Sequence, residues 1–124
     1  MRKIKYKALI KELGWIVDVT RIYIDEEYVE VVLNKETGDT ATYDFEEIKL
    51  KQYSGVNDAN GNEIYEWDTF EISKHGLTGT IRYGLYHDNS QCVAGFYVEF
   101  DGETGEFYRK DLGYWANKLT IHTK

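Results

Sequence analysis

The sequence predicts a mainly β protein of about eight or nine short antiparallel strands with one or two helical turns. Three observations predict it. Apolar and polar residues alternate with a period of two along much of the 124 residues. Eleven glycines punctuate the chain, and it contains no proline. No segment holds a helical apolar face for about ten residues.

The elements follow in order. Ile4, Tyr6, Ala8 and Ile10 alternate with Lys3, Lys5, Lys7 and Leu9. That is a half-buried strand with lysines facing water, and such lysines also discourage edge-to-edge pairing. Gly14 breaks the run, and residues 15–24, rich in β-branched side chains, form a second strand. Residues 28–33 and 40–45 read as a hairpin, with Gly38 supplying a positive φ in the link. Asp44 and Glu47 are placed to cap one helical turn. Residues 49–53 return to extended structure, and residues 54–62 are a loop by composition. Within it, Asn60-Gly61 is a tight-turn dipeptide. Residues 64–68 lead into a strand at 69–73, and His75-Gly76 turns the chain into 77–83. A polar loop is expected over 84–91, then a long strand at 92–100, a glycine turn at 101–105 and a strand at 106–112. Residues 114–117 suit a single helical turn before a last strand at 119–122.

The length favours a single domain over 1–124. Within it, an N-terminal β subdomain over 1–53, a hinge over 54–68 and a C-terminal β-barrel over 69–124 are expected. Five extended segments after Thr69, with a helical turn before the last, follow the plan of a small SH3-like barrel.

Composition narrows the function classes. A charged fraction of 30% leaves no apolar run long enough for a membrane helix. The 15% of aromatic residues argues for a packed core. Cys92 is the single cysteine, so no internal disulfide forms, and no signal peptide is evident at the start. A reducing cytoplasm is the expected compartment. The formal charge is −7, unevenly spread. Arg2, Lys3, Lys5, Lys7 and Lys11 precede the first acid, and residues 12–124 then hold 10 basic against 22 acidic groups. General duplex DNA binding is disfavoured at that balance.

Catalytic templates fail one by one. If Gly61 is set at the sixth position of a calcium loop, Val56 stands first and Trp67 twelfth, where Asp and Glu are needed. His75, His87 and His122 lie far apart, and no Cys-x-x-Cys exists, so no metal site is expected. His87, Asp88, Ser90 and Cys92 are close in sequence, which does not assemble a triad; Cys92 opens an apolar strand, where a buried inert thiol is expected. Carboxylate pairs such as Glu26-Glu27, Glu46-Glu47 and Glu63 with Glu66 and Asp68 are expected by chance among 22 acids. Gly102-Glu103-Thr104-Gly105 lacks the lysine of a phosphate loop. The reading is therefore of no catalytic residue, no metal and no cofactor. Aromatic residues are the richest signal. Core packing explains most of them, but Tyr86 and His87, with Tyr114 and Trp115, are the first candidates for an exposed interaction patch.

One stretch carries more information. Gln52, Tyr53, Gly55, Asp58, Asn60, Gly61, Glu63, Ile64, Tyr65, Glu66 and Asp68 match, in order and spacing, the signature of the YopX family. The opening Arg2-Lys3-Ile4-Lys5-Tyr6-Lys7-Ala8 resembles that family's start. Trp67 stands where relatives have Gly, and Leu9 where they have Trp. The resemblance implies a mainly β protein associated with phages and prophages, with no activity to carry over. A structural role explains the signature: Gly55 and Gly61 permit turns, Asp58 and Asn60 cap them, and Ile64 and Tyr65 anchor the next strand. The expected partner is a host or phage protein. The alternatives are a nucleic-acid-binding β-barrel and an acidic inhibitor of a host nucleic-acid-binding or defence protein.

Overall fold

The computed structural model describes residues 5–88, 91–102 and 109–122. Contacts divide the chain into two compact units, Met1–Gln52 and Tyr53–Lys124.

The first unit is an antiparallel meander. β1 (Tyr6–Ile10), β2 (Trp15–Tyr23), β3 (Tyr28–Asn34), β4 (Asp39–Asp44) and the first half of β5 (Ile48–Asn57) lie in the order β4-β3-β2-β1-β5. The alternation decides which face is buried. Ala8 and Ile10 on β1, Val29 and Val31 on β3 and Ile48 on β5 are buried together. Val17, Val19, Ile22, Leu33, Tyr43, Phe45 and Leu50 pack around them. Lys7 sits opposite Lys51, and Leu9 opposite Lys49, on the other face. Gly14 and Gly38 take positive φ values of 71° and 76° at two of the turns, as a chain reversal this tight requires. The expected turn after β4 is a 3-10 turn, Phe45–Glu47, in which the Glu47 carboxylate accepts the Asp44 N–H at 3.0 Å.

The second unit holds the rest of β5, β6 (Glu63–Tyr65), β7 (Thr69–Ile72), β8 (Leu77–Asp88), β9 (Gln91–Phe100), α1 (Leu112–Trp115) and β10 (Thr120–Ile121). Its main sheet runs in the order β10-β7-β8-β9, all neighbours antiparallel. Among the described residues this sheet is open, with β10 and β9 at its edges, so the expected barrel closure is not seen there. Ile64, Phe70, Ile72, Leu77, Ile81, Val98, Leu112, Trp115, Ala116 and Leu119 form one buried cluster. Gly79 is central to it. It stands between Phe70 on β7 and Phe100 on β9 in the register. The two rings pack edge to face with centroids 5.8 Å apart. A Cβ on Gly79 would lie 2.7 Å from Phe70 Cζ and would collide with the Glu99 carbonyl oxygen.

Three expectations need correction. Residues 84–91 are not a polar loop: β8 runs on to Asp88, and β9 begins at Gln91. β5 extends to Asn57, so residues 54–57 of the expected loop at 54–62 are strand. The helical turn lies at Leu112–Trp115, two residues earlier than expected, because Leu112 and Trp115 are the pair that faces the core. Ten strands are described, close to the eight or nine expected; β10 falls within the strand expected at 119–122, and the three-residue β6 is the short addition. The turn expected at 101–105 and the strand at 106–112 fall largely outside the described residues.

Candidate functional site

The signature stretch is a closed structural lock. Asp58 is only 6% exposed. Its Oδ1 accepts the N–H groups of Asn60 at 2.9 Å and Asn62 at 2.8 Å. Its Oδ2 accepts the Ile121 N–H at 2.9 Å, joining the loop to β10, and the Asn62 side-chain amide at 3.4 Å. Ala59 adds an N–H donated to the Leu119 carbonyl at 3.0 Å. Burial alone would push the Asp58 carboxyl up, but these donors outweigh it and hold it below the ordinary aspartate value. Gly61, at φ 85°, lets the loop close. Tyr53 and Tyr65 pair across β5 and β6 with ring centroids 5.4 Å apart. The Tyr53 hydroxyl donates to Asn57 Oδ1 at 2.8 Å, and the Tyr65 hydroxyl to Glu63 Oε1 at 3.1 Å. Ile64 is fully buried. These residues are spent on shaping the backbone.

The next turn shows what Trp67 does in place of glycine. The Asp68 N–H donates to the Tyr65 carbonyl at 3.1 Å, and Asp68 Oδ2 accepts the Tyr65 N–H at 2.8 Å. Trp67 is third in this four-residue turn, at φ 72°. That conformation suits glycine, and it costs another residue roughly 1–2 kcal/mol. The Trp67 N–H donates to the Ile81 carbonyl at 2.7 Å. The Arg82 guanidinium carbon lies 4.3 Å from the indole centroid, and Arg82 Nη1 lies 3.4 Å from Glu99 Oε1. Packing across β8 thus offsets the backbone strain.

The β8–β9 hairpin extends beyond the partners that cover its base. β7 pairs with β8 only from Leu77 to Thr80, whereas β8 and β9 pair from Gly79 and Phe100 out to Asp88 and Gln91. Side chains alternate, so the face that carries Ile81 and Val98 in the core continues outward. Tyr83 is opposite Phe96, Leu85 opposite Ala94 and His87 opposite Cys92. Ile81 and Val98 are fully buried, but Tyr83 is 52% and Leu85 72% exposed. Tyr83 and Phe96 meet with ring centroids 4.9 Å apart. On the reverse face Tyr86 stacks on Tyr97 at 5.2 Å. Where the arm leaves the core, Gly84 and Gly95 face each other at φ 153° and 155°.

The four residues expected on an interaction patch separate. Trp115 is a core residue, 3% exposed, whose indole N–H donates to the Arg109 carbonyl at 2.6 Å. Its surface assignment is corrected: the ring closes the core between Phe100, His75 and Tyr114. Tyr114 is 38% exposed, and its ring is flanked by Arg109 at 4.5 Å and Lys118 at 4.1 Å. Tyr86 and His87 lie on opposite faces of the arm, and His87 is exposed. Cys92 is exposed, not buried, because the strand it opens stands clear of the core. Sequence reading missed Tyr83, Leu85 and Ala94 as a surface, because they continue the alternation of Ile81 and Val98, which are buried. Among the described residues no group of three His, Cys, Asp or Glu side chains converges, and no helix is long and apolar enough to cross a membrane.

The molecule is thus a small β protein of two units, the second of which holds a locked signature segment and a β8–β9 hairpin that runs past β7. It belongs to the YopX family: the family model described as YopX protein matches residues 5–117. A solved structure, "Crystal structure of protein EF1440 from Enterococcus faecalis", shares the fold, with a TM-score of 0.57 and 16% identity. The match covers 100% of this chain and 94% of that one. No curated protein matches the sequence.

Proposed function

We propose that the chain is a phage- or prophage-encoded accessory protein of the bacterial cytoplasm that acts by binding another protein and not by catalysis. The β8–β9 arm carries this reading. A chain that sets Tyr83, Leu85 and Ala94 on the outward continuation of a core face, with Phe96 partly buried at its base, leaves apolar area in water. Clustered apolar area of this kind suits an interface better than solvent. The signature carboxylates support the same reading, since Asp58, Glu63 and Asp68 accept hydrogen bonds that hold turns together.

The test compares three proteins as bait in the host bacterium: wild type, Leu85→Asp and Ile24→Asp. Leu85 and Ile24 are equally exposed, at 72% and 74%, but only Leu85 is on the arm. One discrete partner retained by wild type and Ile24→Asp and lost with Leu85→Asp supports the proposal. Retention by all three, or no partner for any, contradicts it. A gel shift of single-stranded DNA or RNA that Leu85→Asp abolishes would favour a nucleic-acid partner instead.

A further inference from the structure

The outer edge of β9 has an unusual combination of properties. Val98 donates its N–H away from β8, to the Lys110 carbonyl at 2.8 Å. Backbone groups alternate along a strand, so Cys92 and Ala94 also direct their N–H and C=O groups away from β8. Among the described residues the chain's last pairing on that side is the bridge between Tyr97 and Asp111. Beyond it, the groups of Cys92 and Ala94 face outward from a sheet edge.

Other edges are guarded. β4 carries Asp39 and Asp44, β6 carries Glu63, and β10 is only two residues long. Residues 91–98 hold no charge and no proline. Charges, prolines and short length are the usual devices that keep edges from pairing, and β9 has none of them here. The chain also carries a net charge of −7, so two copies repel wherever their acidic surfaces meet. This edge is an uncharged place for them to meet.

We propose that two copies of the chain pair antiparallel along β9, with the two-fold axis passing at Val93. That register uses the groups that have no partner among the described residues: Cys92 of each copy stands opposite Ala94 of the other, giving four N–H to O=C bonds. It places the two Val93 residues as a close, non-hydrogen-bonded pair. Side chains directly opposite in such a pair share a face. The strip of Tyr83, Leu85, Ala94 and Phe96 therefore continues across both copies as one four-stranded platform. The inference rests on the reading of the arm as a binding element. Its readout is the protein's own mass, so its failure is separable from loss of a foreign partner.

The experiment uses the full chain. Light scattering at about 100 µM, a concentration that populates a dimer held at micromolar affinity, is expected to give twice the monomer mass. Ala94→Lys sets two positive charges near the axis, and Ala94→Pro removes an outward donor without touching the β8 ladder. Both are expected to give monomer with an unchanged far-ultraviolet spectrum; if the proline variant fails to fold, the lysine variant decides. In a Cys92→Ser background, Val93→Cys is expected to oxidise to a disulfide-linked dimer, because the paired Cα atoms sit about 4.5 Å apart. The natural Cys92 pair is two residues out of register, beyond about 7 Å, and is expected to stay reduced. Monomeric wild type, a dimeric Ala94→Lys variant, or no crosslink through Val93→Cys would each overturn the inference.

Discussion

The Asp58 carboxylate accepts the Ile121 N–H at 2.9 Å across 63 residues of sequence. It joins the signature loop to the last strand of the second unit. Removing the carboxylate leaves the N–H groups of Asn60, Asn62 and Ile121 without their acceptor. Asp58→Ala is expected to destabilise by about 2–4 kcal/mol, measured by urea unfolding.

The same carboxylate sets a pH dependence. Its folded value lies below the ordinary 3.8. A depressed carboxyl contributes stability that is fully present above its unfolded value and is lost as pH falls through the folded one. Wild type is therefore expected to lose stability below about pH 4 more steeply than Asp58→Asn, with the curves parallel near neutrality. Parallel curves throughout the acid range would contradict the assignment.

Gly79 admits no side chain. An alanine Cβ would lie 2.7 Å from Phe70 Cζ and must displace a buried ring or the β9 backbone. Gly79→Ala is expected to cost about 1–3 kcal/mol of stability, read as a lowered urea midpoint with an unchanged slope.

At position 67, glycine and alanine separate strain from packing. Both remove the contact with Arg82, but only glycine relieves φ 72°. Trp67→Gly is expected to be more stable than Trp67→Ala by about 1 kcal/mol. Equal stabilities would mean that the turn opens when the indole is lost.

The first unit was the more legible in the sequence, because its strands alternate cleanly and two of its turns carry glycine at positive φ. The second unit was less so. Gly84 reads as the start of a loop, yet paired with Gly95 across β8 and β9 it sits within a continuous ladder. An isolated glycine in a strand pattern signals either a loop or a bend, and only its cross-strand partner decides which. Asp58 was legible as a turn cap, but its bond to Ile121 is tertiary and no local pattern encodes it. Trp115 was misplaced because an aromatic near the chain end has the same local signature whether or not a sheet covers it. The exposed arm face was hidden by its own regularity: Tyr83 and Leu85 follow Ile81 in the pattern of a buried face.

A photo-crosslinking residue placed at position 85 tests the binding role of the arm most directly, with position 24 as an equally exposed control away from it. After irradiation in the host, position 85 is expected to give a discrete adduct that position 24 does not. Identical adduct patterns from the two positions, or none from position 85, would contradict the account.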